Sequence, residues 1–78
     1  MLEIERANTD GVMPETRKAL ARRHVARGRE IVQRQRRLIE RLRRASRSTL
    51  SAEELLALFE RSLTIFEDDL AEIERASG

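Results

Sequence analysis

From His24 onward the chain places a small, polar or apolar residue at alternating intervals of four and three: His24, Gly28, Ile31, Gln35, Leu38, Leu42 and Ala45. Only a helix brings such positions onto one line, so this segment reads as the seam of a helix packed along its length against another. Val25, Val32 and Ile39 flank the seam at intervals of seven and widen it into the face of a bundle helix. A second seam of the same period follows: Ala52, Leu56, Phe59, Leu63, Phe66, Leu70 and Ile73, broadened by Leu55, Leu58 and Ile65. Pro14 suits a first helical position, where its missing N–H costs nothing, and Glu15 complements the helix dipole there. Between the seams, Ala45 to Leu50 breaks the rhythm. Ser51 and Glu54 then have the spacing of a capping box, and Leu50 and Leu55 that of a hydrophobic staple. These signals predict an all-α fold, an antiparallel two-helix hairpin with helices at about 14–46 and 52–76. Residues 1–13, with the turn-forming run Asn8-Thr9-Asp10-Gly11, read as a flexible N-terminal arm on the 14–78 hairpin.

Charge sets the register. Residues 14–48 carry thirteen basic and three acidic side chains, and residues 49–78 carry two and eight, so the halves are +10 and −6. Opposite charge on two adjacent helices points first to their facing each other. Arg22, Arg29, Arg36 and Arg43 form one heptad column, and Glu53, Glu60, Glu67 and Glu74 form another. With a turn near residues 48 and 49, these pair as Arg22 with Glu74, Arg29 with Glu67, Arg36 with Glu60 and Arg43 with Glu53.

A chain of 78 residues buries a small fraction of its surface, and this one has no cysteine and one histidine. Disulfides and Cys/His zinc sites are thereby excluded, which leaves self-association as the source of further buried area. The apolar stripe of the first helix ends at Arg columns on both sides. That of the second continues past the phenylalanines, away from the glutamates. A homodimeric four-helix bundle is therefore expected, with helix 2 on helix 2 of the partner and Leu55, Leu58, Ser62 and Ile65 at the interface.

Candidate chemistry is sparse. His24 as a pH switch is weaker than His24 as a polar seam residue near Asp69 and Glu72, and no nucleophile accompanies it. Gly28 reads as clearance for an aromatic ring across the seam, facing Phe66 and Leu70, and Gln35 with Ser62 as one polar layer. Glu67, Asp68 and Asp69 point in different directions on a helix and so read as a solvated face, with no metal and no cofactor expected. The Arg23, Arg37 and Arg44 column and the Arg27, Arg34 and Arg41 column lie outside the glutamate ladder. They are the candidate contacts for nucleic acid, although the first helix offers no Tyr, Trp or Phe for base stacking. The function expected is that of a non-enzymatic structural or regulatory module which binds itself and another protein. The alternative is an RNA- or DNA-binding hairpin. The charged N-terminus lacks a secretory pattern and no run reaches membrane-spanning length, which predicts a soluble, cytoplasmic protein with no membrane partner.

The pattern His24-Val25-x-x-Gly28-x-x-Ile31-x-x-Gln35-x-x-Leu38-Ile39-x-x-Leu42, followed by Thr49, Ala52-Glu53-x-Leu55-Leu56-x-x-Phe59 and Leu63, resembles a group of short hypothetical proteins from alphaproteobacteria. The resemblance spans roughly residues 20–73. It implies a bacterial, cytoplasmic, stand-alone hairpin and supplies no activity. Members of that group tend to carry Gly in the turn, where this chain has Ser46-Arg47-Ser48.

Overall fold

The computed structural model describes residues 15–77, so the N-terminal arm, Pro14 and Gly78 lie outside the described residues. Two helices, α1 (Arg17–Arg44) and α2 (Leu50–Ser77), run antiparallel and pack along their length. Helix α1 begins three residues later than the proline suggested. Thr16 is extended and its hydroxyl accepts from the Ala19 N–H at 3.0 Å, so the cap is a threonine that satisfies an otherwise orphaned donor.

The C-terminus of α1 closes by backbone alone. Ser46 has φ 55°, the Ser46 N–H donates to the Arg43 carbonyl at 3.0 Å, and the Arg47 N–H donates to the Leu42 carbonyl at 2.8 Å. This is the paired-bond C-cap that glycine usually occupies. Arg41, Arg43 and Arg44 in the last turn sit at the negative end of the helix dipole. A serine in the left-handed region is strained, whereas glycine is free there. Ser46→Gly is thus expected to stabilise the hairpin by about 0.5–1 kcal/mol, the relief of strain exceeding the added chain entropy of the unfolded state. Chemical denaturation reads this directly, and a destabilised variant would contradict the cap geometry.

The start of α2 differs from the expected capping box. Helical bonding begins with the Glu53 N–H donating to the Thr49 carbonyl at 2.8 Å, and the Thr49 hydroxyl donates to the Glu53 carboxylate. The Leu50 N–H approaches the Ser48 hydroxyl at 3.4 Å. Ser51 and Glu54 are therefore already inside the first turn, and the staple is open, with Leu50 72% exposed. The Thr49 carbonyl takes the first helical bond two residues earlier than expected, and Glu53 is the acid that meets the positive helix end.

Helix α1 buries Ala21, Val25, Gly28, Val32, Gln35 and Ile39. The spacing of four and three is as read, but the seam is turned by one column. Val25, Val32 and Ile39 lie in it, Ile31 and Leu38 are half-buried at its edge, and His24 and Ala45 are exposed. Burying the β-branched column brings the adjacent arginines over the glutamates. On α2 the seam residues are those expected, yet only Ala52 is buried, while Leu56, Phe59, Leu63, Phe66, Leu70 and Ile73 are half-buried. Large side chains on α2 cover small ones on α1 and leave their own outer flanks in water.

Gly28 shows how close the helices come. A Cβ there would stand 3.1 Å from Leu63 Cδ1 and 3.7 Å from Phe66 Cδ2, so the facing pair is Leu63 and Phe66, not Phe66 and Leu70. The polar layer is also different from that expected. Gln35 Nε2 donates to the Ala52 carbonyl at 2.9 Å in a buried setting, and Ser62 is exposed. No buried side-chain nitrogen or oxygen lacks a partner among the described residues. No described helix is long and apolar enough to cross a membrane.

Candidate functional site

The hairpin presents two unlike faces. On one, the Arg and Glu columns meet: Arg22 and Glu74 at 3.8 Å, Arg29 and Glu67 at 3.5 Å, Arg36 and Glu60 at 2.9 Å, Arg43 and Glu53 at 3.5 Å. All eight side chains are substantially exposed, so each pair contributes only ~0–1 kcal/mol and the ladder acts mainly on alignment. A charge-swap cycle tests this. Arg36→Glu and Glu60→Arg are each expected to lower stability, and the double swap to recover a coupling of about 0.2–1 kcal/mol that shrinks in high salt. A swap that recovers nothing at low salt would mean the two side chains do not meet.

The other face carries the flank of α2 away from the glutamates. Leu55 is 42% exposed, Leu58 53% and Ile65 54%, with Ser62 exposed among them. Across the hairpin the same face takes in His24, Ile31 and Leu38 on α1. At its far end, Leu20, Ala21, His24, Phe66, Asp69 and Ile73 line a shallow groove of about 340 Å³. The His24 ring leans on Phe66, with centroids 5.1 Å apart and planes at 37°. His24 is thus an aromatic packing partner at the rim of the seam. Among the described residues no three side chains are grouped to hold a metal ion. Glu67 belongs to the ladder, and Asp68 and Asp69 are exposed.

The two remaining Arg columns separate into paired and unpaired members. Arg23 meets Glu15 at 2.7 Å, Arg44 meets Glu40 at 3.1 Å and Arg27 meets Glu30 at 3.7 Å. Arg34, Arg37 and Arg41 have no acidic partner within salt-bridge distance among the described residues. These three do not converge. Arg34 and Arg41 share the column just beyond Ile31 and Leu38, and Arg37 lies behind it on the solvent side.

Comparison with known proteins finds no match. No family model, no curated protein and no solved structure matches this chain. The argument for function rests on the two faces alone. The ladder face is internally neutralised, and its groove of about 520 Å³ is lined largely by the paired side chains Arg36, Arg43, Glu53 and Glu60. The opposite face combines exposed leucine and isoleucine with a groove of mixed lining, in which Arg17, His24, Asp69 and Glu72 stand beside Leu20, Ala21, Phe66 and Ile73, and the exposed apolar side chains are the feature a partner would cover.

Sequence reasoning missed the N-terminal pair of Thr16 with Ala19 and the contact of Arg23 with Glu15. Thr16 followed by Arg17, Lys18 and Ala19 lacks the Glu or Gln of a capping box, so its only signal was a threonine before a helical run.

Proposed function

We propose that this hairpin is a non-enzymatic interaction module that works as a homodimer, two hairpins forming a four-helix bundle. The observation that carries this reading is the exposed apolar flank of α2, Leu55, Leu58 and Ile65. A soluble monomer rarely keeps such residues contiguous and uncovered. The half-buried α2 seam supports the same reading, because each large side chain there has one face on α1 and another free for a second hairpin. Once paired, the dimer carries the remaining charged surface as the site at which another protein binds. A cytoplasmic setting accords with a chain that uses no cysteine.

Sedimentation equilibrium of the wild-type chain at micromolar concentration tests the proposal. A dimer is expected, and a monomer would refute it. The competing reading is nucleic-acid binding through Arg34, Arg37 and Arg41. It is weakened by the absence of Phe, Tyr and Trp from α1, by the packing of the His24 ring on Phe66, and by the acidic helix alongside. Fluorescence anisotropy with labelled single-stranded RNA and duplex DNA is expected to give no retention near physiological salt. Tight binding that falls steeply with added salt would favour the arginines instead.

A further inference from the structure

The outer flank of α2 has an internal symmetry. Ser51, Leu55, Leu58, Ser62, Ile65, Asp69 and Glu72 follow one another at intervals of four and three, and all are exposed on one line of the helix. A line of this kind is a helix–helix seam whose occupant remains to be assigned. Its ends differ: the N-terminal end is a serine and the C-terminal end is two carboxylates.

Resting on the dimer proposed above, the geometry points to a second copy of this chain whose α2 runs antiparallel to the first, with the two-fold axis crossing near Glu60 and the two turns at opposite ends of the bundle. In that register Leu55 meets the partner's Ile65, Leu58 meets the partner's Ser62, and Ser51 meets the partner's Asp69. Leu58 and the partner's Ser62 lie next to the axis, the apolar pair of Leu55 with Ile65 lies outside them, and Asp69 at one end meets the Ser51 hydroxyl at the other. Glu72 then reaches the first turn of the partner's α2, where free N–H groups and the helix dipole favour an anion. A parallel alignment instead sets Asp69 on the partner's Asp69, while Glu72, which is paired with Arg75 in its own chain, adds little to the difference. Like charges juxtaposed in a seam that excludes water oppose association strongly.

The α1 edge of the same face explains why the contact centres on α2. Beyond the single column of His24, Ile31 and Leu38 comes the column of Arg27, Arg34 and Arg41. Two such edges brought together repel, so they stay apart at the rim while the α2 helices close.

Because the native chain has no cysteine, cross-linking reads this arrangement without background. Ser51→Cys and Asp69→Cys chains are prepared separately and mixed, and their helicity is checked by circular dichroism. On mild oxidation the mixture is expected to give covalent dimers that join one chain of each kind, while each variant alone stays uncrosslinked. As a second measurement, spin labels on Ser48→Cys chains are expected to lie about 35 Å apart along the bundle, twelve residues of 1.5 Å on either side of the axis. Cross-linking of either variant with itself, or turn labels in close proximity in a protein that sediments as a dimer, overturns the antiparallel seam and leaves the dimer standing. A monomer in sedimentation overturns both.

Discussion

Gln35→Glu is expected to destabilise the hairpin by about 2–4 kcal/mol at neutral pH, enough to unfold a protein of this size. Gln35 is buried, and its amide nitrogen donates to the Ala52 carbonyl at 2.9 Å. The substitution keeps shape and volume but removes the donor and places a carboxylate against a carbonyl oxygen. Burial and that repulsion both disfavour the charged form, so the new group titrates above the ordinary glutamate value of about 4.3. The sign of the pH dependence follows. Below the unfolded-state value the group is protonated in both states, donates a hydrogen bond and costs little. As pH rises through and beyond it, the unfolded chain ionises more readily than the folded one, and stability falls relative to wild type. The difference between variant and wild type is the quantity to follow, since every other ionisable group is common to the two. Gln35→Leu serves as the control. The Ala52 carbonyl keeps its helical bond, so removing the amide leaves no buried group unpaired, and the change is expected to stay within about 1 kcal/mol. Equal melting temperatures for wild type and Gln35→Glu across neutral pH would mean that position 35 is hydrated.

The charge columns and the α2 seam were readable before any coordinates because both depend on counting. A heptad of like residues survives any small rotation of a helix, and long Arg and Glu side chains reach across a residue or two of misalignment. Rotation about the α1 axis was not readable in the same way. The columns headed by His24 and by Val25 are both apolar enough to face a partner, and which of them is buried depends on the ladder and on the size of the α2 side chains. The α2 cap was misplaced because two hydroxyl-and-glutamate pairs overlap. Ser51 with Glu54 has the familiar spacing, yet Thr49 lies closer to the left-handed turn at Ser46 and ends the connection sooner. Gln35 was assigned a side-chain partner by counting along the register, whereas its amide reaches a backbone carbonyl that residue identity does not reveal. At the candidate interface, the same counting identified Leu55, Leu58, Ser62 and Ile65, and all four are exposed.

Replacing Leu58 and Ile65 together by Glu is expected to yield a monomer that is also less stable than the wild-type protein. Both side chains are more than half exposed in the single hairpin and lie away from the α1 seam. Their loss therefore removes little of the hairpin's own packing. In the proposed dimer both are taken out of water, Ile65 against the partner's Leu55 and Leu58 beside the partner's Ser62, and fully burying a leucine or isoleucine contributes about 1.5–3 kcal/mol. With two positions in each chain the association loses many orders of magnitude, since each 1.4 kcal/mol is a factor of ten, and four carboxylates add repulsion. Stability follows because dimerisation draws the folded state toward the bundle by mass action. The melting temperature of the wild type should then rise with protein concentration, and that of the double variant should not. The single substitution Arg37→Glu is the matched control. It shifts the charge of each chain by the same two units, on the solvent side of α1 away from the proposed contact, and should leave the wild-type sedimentation behaviour in place. A Leu58→Glu, Ile65→Glu chain that remains dimeric, with a melting temperature that still climbs with concentration, would place the interface elsewhere on the hairpin.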